Sequence, residues 1–210
     1  VEITDMGTGV VNDVFFSPNQ KWQDRPVATW SLTLLAPGVE RSKDWMGYWH
    51  YTGIGTRLFL ELYSERIVYN DDGEYYLPEG DYTVAADEMD ENDHAVLVPF
   101  TVKPGQETNG NMSIVGGSWY LEVIGDAEED VYGGMAPISS GTLHVARSGE
   151  EYTLTMDFKD DAGFSITGTC VTKLDNISVN FFERPDPSEP EEPEDPDEGG
   201  ELPPFGPPTE

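Results

Sequence analysis

Residues 140–173 constrain the fold of this chain more than any other segment, because they have the pattern of three strands joined by two tight turns. Apolar and polar side chains alternate through the middle of the segment, and the apolar set is Tyr152, Leu154, Met156 and Phe158. A period of two is typical of a strand with one buried face. Gly149 and Gly163 supply the positive φ that tight turns require. The segment therefore predicts an antiparallel, three-stranded meander.

Runs with similar strand character, separated by turn residues, occur along most of the chain. They lie at 10–16, 28–35, 57–64, 81–86, 95–102, 118–124 and 177–182, and 66–78 has the turn residues of a further small hairpin. No stretch has a convincing helical period. The sequence thus predicts an all-β fold, an antiparallel β-sandwich of about ten strands, with a calycin-like barrel as the alternative.

The last 28 residues differ in composition from the rest of the chain. Residues 183–210 contain nine prolines, eleven acidic residues and a single base, Arg184. Proline cannot donate a ladder hydrogen bond and like charges repel, so this segment is expected to be extended and solvated. We predict one β-domain over 1–182 and a Pro/Glu-rich acidic tail or linker over 183–210.

The acidic balance of the chain argues against some partners. Asp and Glu number 41 against 11 Lys and Arg, which gives a net charge of −30. A nucleic-acid binder must neutralise phosphates with Lys and Arg, so we expect no nucleic-acid partner. The same repulsion opposes anionic membranes, and no apolar run approaches the roughly 20 residues of a membrane span. A self-repelling surface favours solubility, and divalent-cation binding or a cationic partner is the alternative.

The acidic run at 87–93 is the candidate cation site. It holds five carboxylates and one amide, and we take Asp87, Asp90 and Asp93 as the candidate ligands. Calcium binds six to eight oxygens from flexible loops, which these residue types can supply. The spacing does not match an EF-hand loop, so a solvated acidic loop is the alternative. Calcium is the single cofactor that the sequence suggests.

Residues with catalytic chemistry form no motif in this sequence. The three histidines are His50, His94 and His144, and none belongs to a metal, nucleophile or phosphate-binding signature. Cys170, the only cysteine, continues the inward face of a predicted strand and is expected to lie in the core. We therefore predict a non-enzyme and keep a hydrolase as the less favoured alternative.

The segment 45–51 is the candidate ligand-binding site. Four large aromatic residues lie within seven positions there, and these are Trp45, Tyr48, Trp49 and Tyr51. Aromatic faces stack on the apolar faces of sugar rings, and Trp and Tyr also carry polar groups that bond hydroxyls. Trp22 is a further candidate for the same surface. The alternative is a lid whose aromatic residues close one end of the domain.

Three segments together resemble the secreted or surface-anchored lipoproteins of Bacteroidetes, many of which are domains of unknown function. They are 30–35 followed by 55–64, the turn and strand at 77–84, and the meander from 140 to 168. The resemblance implies an exported β-sandwich, secreted or anchored at the outer membrane or cell surface by an N-terminal lipid. It also implies the general roles of such proteins, glycan capture and adhesion.

Two functional hypotheses follow from these features. The first is a non-catalytic surface module that binds a carbohydrate or a cell-surface protein through the aromatic segment. The second is a structural or adhesion subunit of a cell-surface assembly, with the acidic tail as a spacer.

Overall fold

The structure, a computed structural model, describes residues 1–3, 6, 8–17, 27–47, 49–65, 68–69, 75–91, 95–106, 116–125, 132–175 and 179–181. The predicted tail at 183–210 lies outside these ranges. None of the described residues is helical, and most of them lie in strands. The strands are β1 (Glu2–Ile3), β2 (Thr8–Ser17), β3 (Val27–Leu35), β4 (Val39–Lys43), β5 (Trp49–Ser64), β6 (Val68–Tyr69), β7 (Tyr75–Tyr76), β8 (Gly80–Val84), β9 (Glu88–Met89), β10 (Ala95–Val96), β11 (Thr101–Val102), β12 (Trp119–Gly125), β13 (Tyr132–Ser148), β14 (Glu151–Asp160), β15 (Ser165–Asp175) and β16 (Val179–Phe181).

Eight of these strands form a closed barrel, in the order β2, β3, β5, β11, β8, β13, β14 and β15. The ring closes where β15 pairs with β2 in parallel, with Leu174 opposite Gly9 and Asp175 opposite Val10. The all-β prediction is confirmed. The sequence predicted a sandwich and kept a barrel as the alternative. The described residues show the barrel, because the pairing of β15 with β2 joins the two ends of one sheet.

Different strands lie between β5 and β13 at the two ends of these long strands. At one end β12 pairs with both long strands, Trp119 lying opposite Phe59 of β5 and Pro137 of β13. At the other end β11 pairs with β5 and β8 pairs with β13. The short strands can share this space because β5 and β13 have 16 and 17 residues, respectively.

Alternate residues of the wall strands fill the barrel interior. Strand β3 contributes Trp30, Leu32 and Leu34, and β5 contributes Leu58, Leu60 and Leu62; each has an exposed fraction of 1% or less. This alternation is the period of two that identified the strands in the sequence. The interior is packed with side chains, as expected for a barrel of eight strands.

The predicted meander is present as β13, β14 and β15. Gly149 and Gly163 lie in its two turns with φ of 62° and 85°. The alternating set of β14, namely Tyr152, Leu154, Met156 and Phe158, is buried. Cys170 is also buried, at 3% exposed, so its predicted core position is confirmed.

The predicted strand at 95–102 is wrong in its extent. The structure has two short strands there, β10 paired with β9 and β11 paired with β5 and β8. Pro99 interrupts the run and cannot donate a ladder hydrogen bond. The next residue, Phe100, has φ of 59°, and its amide donates to the Tyr63 carbonyl at 2.7 Å. The small hairpin predicted at 66–78 is confirmed by the pairing of β6 with β7.

Substitutions of two phenylalanines, one before and one after the β14–β15 turn, test the packing of the barrel interior. Phe158 is fully buried, whereas Phe164 is 70% exposed. We expect Phe158→Ala to lower the free energy of unfolding by about 3–5 kcal/mol, since it leaves a cavity in the core. Phe164→Ala is the control and should change it by less than about 1 kcal/mol. Urea unfolding measures both, and equal effects would contradict the assigned interior.

Buried hydroxyl and thiol groups should make stability fall at alkaline pH. Burial raises the pKa of Cys170 to about 11 and raises the pKa of Tyr82 above its ordinary value. Because these groups stay protonated in the folded chain after the unfolded chain has lost its protons, their contribution is complete below about pH 9 and is lost as pH rises. Urea midpoints should therefore fall between about pH 9 and pH 11. Cys170→Val should show a smaller fall over that window, and a flat wild-type profile would contradict the burial.

Candidate functional site

The described residues of the aromatic segment, 45–47 and 49–51, lie at the tip of the β4–β5 hairpin. Its strands are in antiparallel register, with Arg41 opposite Tyr51 and Lys43 opposite Trp49. The sequence predicted a loop before a strand at 57–64, whereas β5 begins at Trp49. Trp49 and Tyr51 are therefore strand residues, and the described residues 44–47 form the turn.

Asp44 stabilises the turn that carries Trp45. Its carbonyl accepts from the Gly47 amide at 3.1 Å, and its Oδ1 accepts from the Met46 amide at 2.8 Å. Gly47 has φ of 88°, a conformation that glycine adopts without a steric cost. The side chain of Trp45 projects from this turn with 91% of its surface exposed, and Met46 is 58% exposed.

Two cations lie over the ring of Trp49, which is half-buried. The Cζ atom of Arg41 lies 4.1 Å from the ring centroid, and Nζ of Lys43 lies 4.6 Å from it. These are cation–π contacts between cross-strand neighbours on one face of the hairpin. They orient the indole of Trp49 and hold positive charge beside the tip.

A third cation, Arg57, lies deeper along the same strand. Its Cζ atom is 3.6 Å from the ring centroid of Tyr51, and Nη1 donates to the Tyr132 hydroxyl at 2.6 Å. Arg57 is 9% exposed and Tyr51 is 4% exposed. Its Nε is buried and has no hydrogen-bond partner within the described residues. Since burying a guanidinium costs several kcal/mol unless it is paired, the stacking on Tyr51 and the bond to Tyr132 must offset part of that cost.

The contact between Tyr51 and Arg57 requires β5 to bend. In a straight strand these positions would be about 20 Å apart, too far for the two side chains to meet when each stands perpendicular to the strand. Gly53 lies between them with φ of 101°. A Cβ atom at Gly53 would lie 2.0 Å from the Gly38 carbonyl oxygen, so glycine is required at this bend. The bend lets the outer part of the hairpin approach Arg57.

We call Arg41, Lys43, Trp49, Tyr51, Arg57 and Tyr132 the cation–aromatic cluster. Of the predicted site residues, the structure brings Trp49 and Tyr51 into it and places Trp45 beside it at the turn. Tyr48 and Trp22 lie outside the described residues. The three cations were missed in the sequence, although Arg41 and Lys43 are spaced by two in a strand of an acidic chain, which places both on one face.

The structure does not bring the candidate calcium ligands together. Asp87 lies 3.5 Å from Nζ of Lys103, which also lies 3.2 Å from Glu61. Burial alone would lower the pKa of Lys103, but the two carboxylates outweigh it and raise the pKa. Asp90 is half-buried, and Asp93 lies outside the described residues. Within the described ranges, no three His, Cys, Asp or Glu side chains are grouped to hold a metal ion.

Comparisons with known proteins identify no relative. No family model matches the chain, and no curated protein or solved structure matches it significantly. In the part of the chain that the structure describes, no helix has the length and apolar character needed to cross a membrane.

Substitutions at two glycines with positive φ distinguish the destabilisation caused by the close backbone contact at the bend from that caused by the positive φ alone. Gly53→Ala and Gly47→Ala both place a side chain in the left-handed region, at a cost of about 1–2 kcal/mol. The new Cβ at 53 meets the Gly38 carbonyl, whereas the one at 47 has no heavy atom within 4 Å. We expect Gly53→Ala to destabilise the protein by about 1–3 kcal/mol more than Gly47→Ala. Urea unfolding is the measurement, and equal losses would contradict the close approach at Gly53.

Proposed function

We propose that this protein is a non-catalytic module that binds carbohydrate at the tip of the β4–β5 hairpin. Trp45, 91% exposed on a turn held by hydrogen bonds of Asp44, is the observation that carries the proposal. An indole of this exposure on an ordered turn offers a flat apolar face with a polar N–H at its edge. Sugar rings have the matching combination of an apolar face and peripheral hydroxyls.

The magnitude of the hydrophobic effect supports this role for Trp45. A buried tryptophan removes about 150–250 Å² from water, which corresponds to roughly 4–6 kcal/mol at about 25 cal/mol per Å². The chain forgoes most of this stabilisation at position 45, whereas Trp30 and Trp119 are 1% and 5% exposed. A ligand ring stacked on the indole would recover part of it.

The barrel interior is less suited to a ligand than the hairpin. The eight-stranded barrel fits the calycin-like architecture, and calycin-type barrels with open interiors hold one small ligand. Here large side chains occupy the interior, among them Trp30, Leu60 and Phe158, each 1% exposed or less. We therefore place the ligand outside the barrel.

The proposal includes an exported location, with the protein secreted or anchored at a cell surface, and a glycan or cell-surface protein as partner. This part rests on the resemblance of the strand and turn segments to surface lipoproteins of Bacteroidetes. Glycan capture is consistent with such a location, and it would explain why the indole of Trp45 is exposed.

Replacing one exposed aromatic residue at a time tests the site. We expect wild-type protein to bind at least one oligosaccharide on a glycan array, and Trp45→Ala to reduce that binding at least about tenfold by calorimetry, since the stacking surface is lost. Phe164→Ala is the matched control, because Phe164 is 70% exposed at another hairpin turn, where Asp160 Oδ1 accepts from its amide at 2.7 Å. Binding that survives Trp45→Ala unchanged, or no binding to any glycan, would contradict the proposal.

A further inference from the structure

We infer that His50 is a positioning residue of the hairpin tip, which holds the turn of Trp45 in its binding conformation by way of Asp44. The inference rests on the proposed function, because it states how the turn is kept ready for its ligand. It comes from contacts on the hairpin face opposite to the cation–aromatic cluster, since His50 alternates with Trp49 and Tyr51 along β5.

Asp44 is the residue through which the turn is fixed. Its carbonyl accepts from the Gly47 amide at 3.1 Å, and its Oδ1 accepts from the Met46 amide at 2.8 Å. The first bond closes a four-residue turn, and the second is the bond that an aspartate side chain makes to the amide two residues on. Trp45 lies between these bonded residues, so its direction depends on where the Asp44 carboxylate is held.

His50 contacts the second oxygen of that carboxylate. Its Nε2 lies 3.3 Å from Oδ2 of Asp44, and the two side chains have exposed fractions of 27% and 25%. The other ring nitrogen, Nδ1, is buried without a hydrogen-bond partner among the described residues. A proton on Nδ1 would lie buried without an acceptor, so we place the N–H of the neutral ring on Nε2, facing the carboxylate. The protonated ring has the same N–H, so both forms make this contact.

Strand β5 gives His50 a fixed position. His50 is the second residue of β5 and lies opposite Ser42 of β4. From there β5 continues into the barrel wall, where it pairs with β3 and β12. The contact with Asp44 therefore joins the turn to a strand that is anchored in the core. A side chain held on such a strand is placed more precisely than one on a loop.

A turn that is fixed before binding favours affinity. A ligand that stacks on Trp45 would otherwise have to order the turn, at a cost in conformational entropy. Trp45 is 91% exposed and Met46 is 58% exposed, so their side chains contribute little packing that could hold the turn. The hydrogen bonds of Asp44 take this role, and His50 orients the Asp44 side chain that makes one of them.

A second histidine–aspartate pair provides a matched control. Nδ1 of His144 lies 2.6 Å from Oδ1 of Asp81, where β13 pairs with β8. Their exposed fractions are 55% and 76%, and neither residue belongs to the β4–β5 hairpin. Replacing His144 therefore removes a similar contact without touching the turn of Trp45.

Backbone ¹⁵N relaxation of the full chain without ligand tests whether His50 holds the turn. We expect order parameters of about 0.85 at Trp45 and Met46 in wild type, falling below about 0.6 in His50→Leu. His50→Gln keeps an N–H donor at the end of its side chain and should remain near wild type, as should His144→Leu. Urea midpoints show whether each variant folds. Unchanged order parameters in folded His50→Leu, or in Asp44→Ala if His50→Leu does not fold, would overturn the inference.

Calorimetry tests whether the fixed turn matters for binding. The probes are cellohexaose, xylohexaose, mannohexaose and chitohexaose, together with any oligosaccharide bound on the array. We expect His50→Leu to weaken binding about three- to tenfold, and His50→Gln and His144→Leu to bind like wild type. Because His50 acts through Asp44, adding His50→Leu to Asp44→Ala should cause no further loss. Additive losses would overturn the inference.

The outcomes separate this inference from the proposed function. Trp45-dependent binding that His50→Leu leaves unchanged would overturn the inference and keep the proposed function. No binding of any probe or array glycan would overturn the proposed function and the role of His50 in binding with it. Loss of order at Trp45 in His50→Leu, with weaker binding that His50→Gln restores, would support the inference.

Discussion

The structure depends on the short parallel pairing between β2 and β15 that closes the barrel. Gly9 lies opposite Leu174, and its amide donates to Oγ1 of Thr172 at 2.7 Å. A Cβ atom at Gly9 would lie 2.7 Å from Cδ2 of Leu174, so the strands could not approach this closely without shifting that side chain. Closure turns an open sheet into a continuous wall and encloses one face of every wall strand. The buried leucines of β3 and β5 are a consequence of that enclosure.

The candidate site takes its rigidity from this wall. Strand β5 is a wall strand over Arg57–Ser64 and one arm of the hairpin over Trp49–Gly53, and β12 supports it across Gly53–Phe59. The wall holds one end of the hairpin, and the bend at Gly53 brings its outer part toward Arg57. Binding residues on strands that are anchored in a packed core are held more precisely than residues on a loop. Among the described aromatic residues of the hairpin tip, Trp45 projects into water, while Trp49 and Tyr51 are held by cations.

The sequence predicted the local strands well because each has its own signal. Alternation identified β3 and β14, and the glycines identified the turns of the meander. The sequence could not distinguish a sandwich from a barrel, because the strands of both folds alternate apolar and polar residues. It depends on Gly9 meeting Leu174, a pairing between opposite ends of the chain that no local pattern specifies.

The site was predicted in part for a similar reason. Its aromatic residues are close in sequence and could be recognised as a group, but the strand was predicted to begin only at residue 57. In the structure the strand begins at Trp49 and continues through Gly53 and Gly55, and the bend brings Arg57 to Tyr51. The cations were missed because their role follows from this bend and from the register of β4 with β5. Pro99, in contrast, was a visible sign that the strand predicted at 95–102 would be interrupted.

The central claim is that the hairpin holds Trp45 in water while it fixes Trp49 between cations and the barrel. The most direct measurement is ¹⁹F NMR of protein labelled with 5-fluorotryptophan, with each resonance assigned by a Trp→Phe variant. We expect the Trp45 resonance to show the full solvent isotope shift between H₂O and D₂O, Trp49 a partial shift and Trp30 none. A Trp45 resonance shielded from solvent like that of Trp30 would contradict the account.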